Sequence, residues 1–138
     1  MNDSPYFTIC GYKVTSERLH ERDTQVQAIV EVRIGHTCAR RQATGVGPVH
    51  ALDAALRACL AGDFPELAGV ALSDYRVSVV DASHGTAAQV RVLIEATDGA
   101  ARWDAGCVSE NVLDASFQAL CATAVMGIMR RCAVHSVA

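Results

Sequence analysis

The sequence predicts an α+β fold built as a tandem βββα repeat: two three-stranded antiparallel sheets, each with one helix, related by a pseudo-two-fold. Three observations predict it. Alternation of apolar and polar residues, the mark of a strand with one buried face, occurs three times in each half. Each third strand then gives way to apolar residues at helical spacing. Finally, GVGPVHALDAAL from Gly45 and GCVSENVLDASF from Gly106 read as copies, with Gly45/Gly106, Leu52/Leu113, Asp53/Asp114 and Leu56/Phe117 each 61 residues apart.

The first half opens with YKVT after Gly11, which places Tyr12 and Val14 on one face. VQAIVEVRIG follows, with Ala28, Val30, Val32 and Ile34 on one side and Gln27, Glu31 and Arg33 mostly on the other. Gly35-His36 turns the chain into a third strand, CARRQAT. At Gly45-Val46-Gly47-Pro48 the period changes, and Leu52, Ala55, Leu56, Cys59 and Leu60 form a helical stripe. Proline suits the first helical position, where its missing N–H has no partner to lose. The helix is expected to end by Gly62, with DFPELAG as a connector.

The second half repeats the plan. DYRVSVV answers the first strand, with Tyr75 standing for Tyr12, and AAQVRVLIEAT puts Val90, Val92 and Ile94 on one face. Asp98-Gly99 is a hairpin signal, RWDAGCV is the third strand, and His84 falls in the loop DASHGTAA. Ser109 is the expected N-cap of a helix over about 110–131, with the stripe Leu113, Phe117, Leu120, Cys121, Ala124 and Ile128. Gly127 within it implies close packing, and Arg130 and Arg131 suit the negative helix end. The whole is read as a single domain over 1–138, with repeat one at about 6–62 and repeat two at about 72–131. Neither half buries enough by itself to be stable.

The totals agree with one modest core. Of 138 residues, 51% are apolar and only 5% aromatic. A net charge of −3 gives no general field for nucleic acid or acidic lipid, so neither partner is expected. No run approaches the roughly 18 to 20 apolar residues that cross a bilayer. The polar start MNDSP is unlike a signal peptide, so a cytoplasmic location is expected. The six cysteines include no C-x-x-C pair and the five histidines no H-x-H, so no metal or cofactor is expected. Cys59 and Cys121 lie on helix stripes and read as core; Trp103 reads as packing on a sheet face.

FTICGYKV, GVGPVHALDAAL, FPELAGVALSDYRVSVVD, GTAAQVRVLIEATDGAARW and GCVSENVLDASFQAL stand in order from about Tyr6 to Arg131. In these motifs the chain resembles the C-terminal regulatory (dimerisation) domain of the isopropylmalate synthase and citramalate synthase family. The run from LSDYRVSVV to DAS is closer to the citramalate branch. The resemblance implies a homodimer that binds a branched-chain amino acid, isoleucine or leucine, as feedback effector. In that family a separate barrel condenses acetyl-CoA with a 2-oxo acid on a divalent metal. A barrel takes about 250 residues, so the resemblance implies no transferase activity for this chain by itself, with a separate barrel synthase subunit as a possible partner.

Carried over by motif, the effector-binding residues are Gly45, Gly47, Val49 and His50 in the turn before the first helix, and Leu72, Tyr75 and Val79 in LSDYRVSVV. Helix N-terminal N–H groups favour a carboxylate, although Pro48 offers none. Tyr75 and Val79, four apart on a strand, share a face. His50 departs from the small or acidic residue common at its position in relatives. Two other readings stand beside the sensor. One is a free-standing domain recruited as a small enzyme, with His50, Tyr75 and Cys107 as candidate acid, base or nucleophile; the other is a dimerising scaffold that binds nothing.

Overall fold

The computed structural model describes residues 4–137, with side chains to residue 132. The chain divides into two compact units, residues 1–63 and 64–138. The first contains β1 (Thr8–Glu17), β2 (Gln25–Ile34), β3 (Thr37–Gly45) and α1 (Pro48–Leu60). The second contains β4 (Ala71–Val79), β5 (Val90–Thr97), β6 (Arg102–Ser109) and α2 (Val112–Val137). Each sheet is antiparallel with its strands in sequence order. This is the expected tandem βββα architecture.

In the first unit Val26, Ala28, Val30 and Val32 alternate into the core from β2 and meet Ala51, Leu52, Ala55, Leu56, Cys59 and Leu60 of α1. Each fully buried leucine there contributes about 1.5–3 kcal/mol. In the second, Val92, Ile94 and Ala96 of β5 and Ala105 of β6 meet Ala115, Phe117, Leu120, Cys121 and Ile128 of α2. Leu113 and Ala124 of the expected stripe are only half-buried. Each helix covers the second and third strands of its own sheet, and the first strand much less. Hairpin turns at Gly35 and Gly99 use φ of +61° and +90°, which glycine adopts without a Cβ clash.

The repeat extends to detail that pattern alone did not show. Both first strands carry a bulge, between Ile9 and Gly11 and between Leu72 and Asp74. From the second strand onward the equivalence is 64 residues, not 61. Val30 lies opposite Arg41 and Ile94 opposite Ala105, and the helices begin at Pro48 and Val112. The quoted copies are thus offset by three residues, nearly one helical turn, which keeps apolar residues on almost the same face and so looks like a match.

Other expectations change. DFPELAG is not a bare connector: Pro65–Gly69 forms a 3-10 turn whose Leu67 and Val70 pack beneath Gly127. DASHGTAA also holds 3-10 turns, over Ala82–Ala87. The N-cap of α2 is Asn111 rather than Ser109; its Oδ1 accepts from the amides of Leu113 and Asp114 at 3.0 and 3.1 Å. Ser109 instead accepts from the Asn111 amide. Because α2 runs to Val137, Arg130 is not at its end but forms an ion pair with Asp98 at 2.7 Å. By length and composition Val112–Cys132 would span a bilayer, at a mean hydropathy of 1.5. Sequence reasoning did not mark this helix as long enough to do so. Half of that window is buried within the protein, as in a core helix.

Candidate functional site

The turn from Gly45 to His50 is set by a close approach. A Cβ on Gly45 would stand 2.5 Å from the Ala51 amide nitrogen and 2.9 Å from its Cα, so only glycine lets β3 run this near the start of α1. Gly47 is the N-cap, extended at φ −156°, with open space where a Cβ would be. It therefore has no conformational need to be glycine. It lacks a side chain to cap the helix, and Pro48 occupies the first helical position. The amides of Val49 and His50 consequently have no hydrogen-bond partner among the described residues. His50 folds back instead, its Nδ1 accepting from the Val46 amide at 3.0 Å. With Nδ1 as acceptor, the neutral ring carries its proton on Nε2.

This arrangement offers two amides at the positive end of a helix, where a carboxylate is favoured. Val46 stands 92% exposed beside them. Sequence reasoning did not single out Val46, although an apolar residue between two glycines in a turn was a usable signal.

In the second unit the candidate residues are gathered by the bulge. Leu72 and Tyr75 are three apart, which in a regular strand would place them on opposite faces. The register shift puts Leu72 opposite Ala96 and Tyr75 opposite Ile94, both buried inward-facing residues of β5. Leu72, Tyr75 and Val79 therefore share the inner face of β4. Val77 shares it too, opposite Val92. Tyr75, Val77 and Val79 remain 43%, 43% and 58% exposed, leaving an apolar strip on an edge strand.

Tyr75 is anchored at its far end. Its hydroxyl lies 2.9 Å from Oγ of Ser116, a fully buried residue on α2. Ser116 gives its single proton to the Val112 carbonyl at 2.7 Å, so Tyr75 is the donor to Ser116. Sequence analysis did not mark Ser116; a lone hydroxyl among apolar helix positions was its only signal.

Three of the cysteine thiols, Cys59, Cys107 and Cys121, are shifted away from the thiolate. Burial pushes the Cys121 thiol up to about 12, with the Asp114 charge adding to it. Burial raises Cys59 as well, against the opposing effect of Arg41, and its Sγ lies 3.3 Å from the Val30 carbonyl. Cys107, the candidate nucleophile, is also raised, by burial and then by Asp114. A thiol shifted this way is less of a thiolate at neutral pH, which makes Cys107 a weaker nucleophile. No group of three or more metal-ligating side chains occurs among the described residues.

The profile of the LeuA allosteric (dimerisation) domain matches residues 2–127. The chain is 44% identical over 116 residues to the (R)-citramalate synthase of Geobacter sulfurreducens, covering 83% of this chain and 22% of that protein. It is 38% identical to the (R)-citramalate synthase of Synechocystis sp., covering 84% and 22%. With that of Aquifex aeolicus it shares 38% over 91% of this chain and 24% of the relative. It thus spans under a quarter of the length of these curated relatives. The match runs through both βββα units, and with the architecture they form it places the chain in the LeuA allosteric (dimerisation) domain family.

Proposed function

We propose that this chain is an effector-sensing module that forms homodimers and binds a branched-chain amino acid, isoleucine first and leucine second. The candidate effector-binding residues form two surfaces, one within each unit. The amides of Val49 and His50, with the glycine backbone at Gly45 and Gly47, receive the carboxylate. Leu72, Tyr75 and Val79 on the inner face of β4 offer apolar contact to the aliphatic side chain. The observation that carries this reading is the α1 N-terminus without a side-chain cap, where two amides lack partners. The signal would be passed to a barrel synthase in the cytoplasm, either within a longer polypeptide or as a separate subunit. By itself the module has no transferase activity.

Thermal unfolding with isoleucine, leucine, valine and lysine tests it. A ligand at about 100 times its dissociation constant adds roughly 2.7 kcal/mol. For a chain of this size that raises the midpoint by several degrees. The expected result is a selective rise with one branched-chain amino acid, lost in Tyr75→Ala. A well-folded dimer that responds to none of them would leave the scaffold reading in its place.

A further inference from the structure

Arg131 on α2 is the one residue with a buried side-chain nitrogen, Nε, that finds no hydrogen-bond partner among the described residues. Orphaned buried donors are rare because each costs its full desolvation. Its neighbour Arg130 is committed to Asp98. The Arg131 guanidinium lies along the 3-10 turn, with Nη2 3.7 Å from where a Cβ on Gly69 would be. A cavity of about 390 Å³ opens beside it, lined by Pro65, Glu66, Arg131 and Cys132. Volumes of this order accommodate small ligands. Glu66 and Arg131 thus share one cavity, yet among the described residues no ion pair joins them. Among the described residues the cavity holds one positive and one negative group apart. A simple anion would meet Glu66 and a simple cation Arg131, each with repulsion.

We propose that this cavity is a second ligand site, within the second unit and separate from the α1 turn, for a small zwitterion. The ligand's carboxylate lies against Arg131, whose planar fork suits it, and its ammonium against Glu66. The site does not depend on the effector reading above.

The test is titration of the full chain, following the Arg131 Nε–Hε resonance by NMR. The probes are glycine, β-alanine and 4-aminobutyrate, which differ only in the spacing of their two charges. Acetate and ethylammonium serve as single-charge controls. One zwitterion should give a saturable shift that neither control gives. Arg131→Gln, followed through the Gly69 amide, and Glu66→Gln should each weaken binding tenfold or more. Glu66 is only half-buried, so its variant guards against misfolding. Gly47→Asn, which fills the α1 turn, should leave the response intact. Silence with all three zwitterions, an equal response to acetate, or full binding in Glu66→Gln would overturn the proposal.

Discussion

The two βββα units share strand order, bulge position and helix start, yet they treat their polar groups differently. In the second unit Asn111 caps α2 with its own side chain, Ser109 supports Asn111, and Tyr75 ties β4 to α2 through Ser116. Its β5–β6 hairpin is held to the helix by Asp98 and Arg130. The first unit, 64 residues earlier, has Gly47 where the second has Asn111 and Gly45 where the second has Ser109. One copy satisfies its own helix N-terminus and the other leaves it open. A duplicated fold thereby yields one helix N-terminus capped by a side chain and one with two unpartnered amides among the described residues.

The largest effect should come from the glycine that creates the open turn. Gly45→Ala forces a backbone collision with Ala51, and relieving it should cost about 1–3 kcal/mol, as overpacking does. Ser109→Ala, its counterpart, removes one exposed hydrogen bond and should cost less than about 1 kcal/mol. Urea unfolding of the two variants measures the contrast. Equal losses would mean that the two turns are mechanically alike.

Much of this was legible in the sequence, because strand alternation and helical stripes arise from the same burial that forms the core. Val26 to Val32 and Leu52 to Leu60 announced themselves in that way. What failed did so for physical reasons. Ser and Asn are both good caps, so sequence alone does not separate Ser109 from Asn111; only the ladder register fixes where β6 ends. An offset of 61 imitates the true 64 because a slip of nearly one helical turn preserves the apolar face. The bulge that brings Leu72 beside Tyr75 leaves no periodic trace, since one extra residue reads as a break in alternation. Which residues share one turn or one strand was therefore readable, whereas the cross-element bonds of Ser116 and Arg130 were not.

Exchanging caps is the next test. Asn111→Ala should cost about 1 kcal/mol, the usual loss for a capping side chain. Gly47→Asn should do the reverse to α1 and add a few tenths of a kcal/mol, since there is space for the side chain. The gain is small, but the consequence for ligand is not. With the amides of Val49 and His50 satisfied internally, the thermal response to a branched-chain amino acid should disappear. A chain that gains stability and keeps its response would place the carboxylate elsewhere.

The last difference is present at neutral pH and fades in acid. The amides of Ala101 and Ala100 and the Arg130 guanidinium hold the Asp98 carboxyl well below its ordinary value of 3.8, so this group contributes stability that is fully present above that value. As pH falls toward the lowered folded value, the native state takes up fewer protons than the unfolded chain, and the contribution is lost. The β2–β3 hairpin, turning at Gly35-His36, has no equivalent among the described residues. Trp103 lies beneath Arg130, 6.0 Å from its guanidinium, and is the only tryptophan, so its fluorescence reports on the second unit alone. Asp98→Asn should lower the urea midpoint seen by Trp103 at pH 7 and flatten its decline between pH 5 and 3. If the wild-type and Asp98→Asn curves run parallel through that window, the ion pair is not what distinguishes the second unit in acid, and the difference rests on the Asn111 cap and the Tyr75–Ser116 bond.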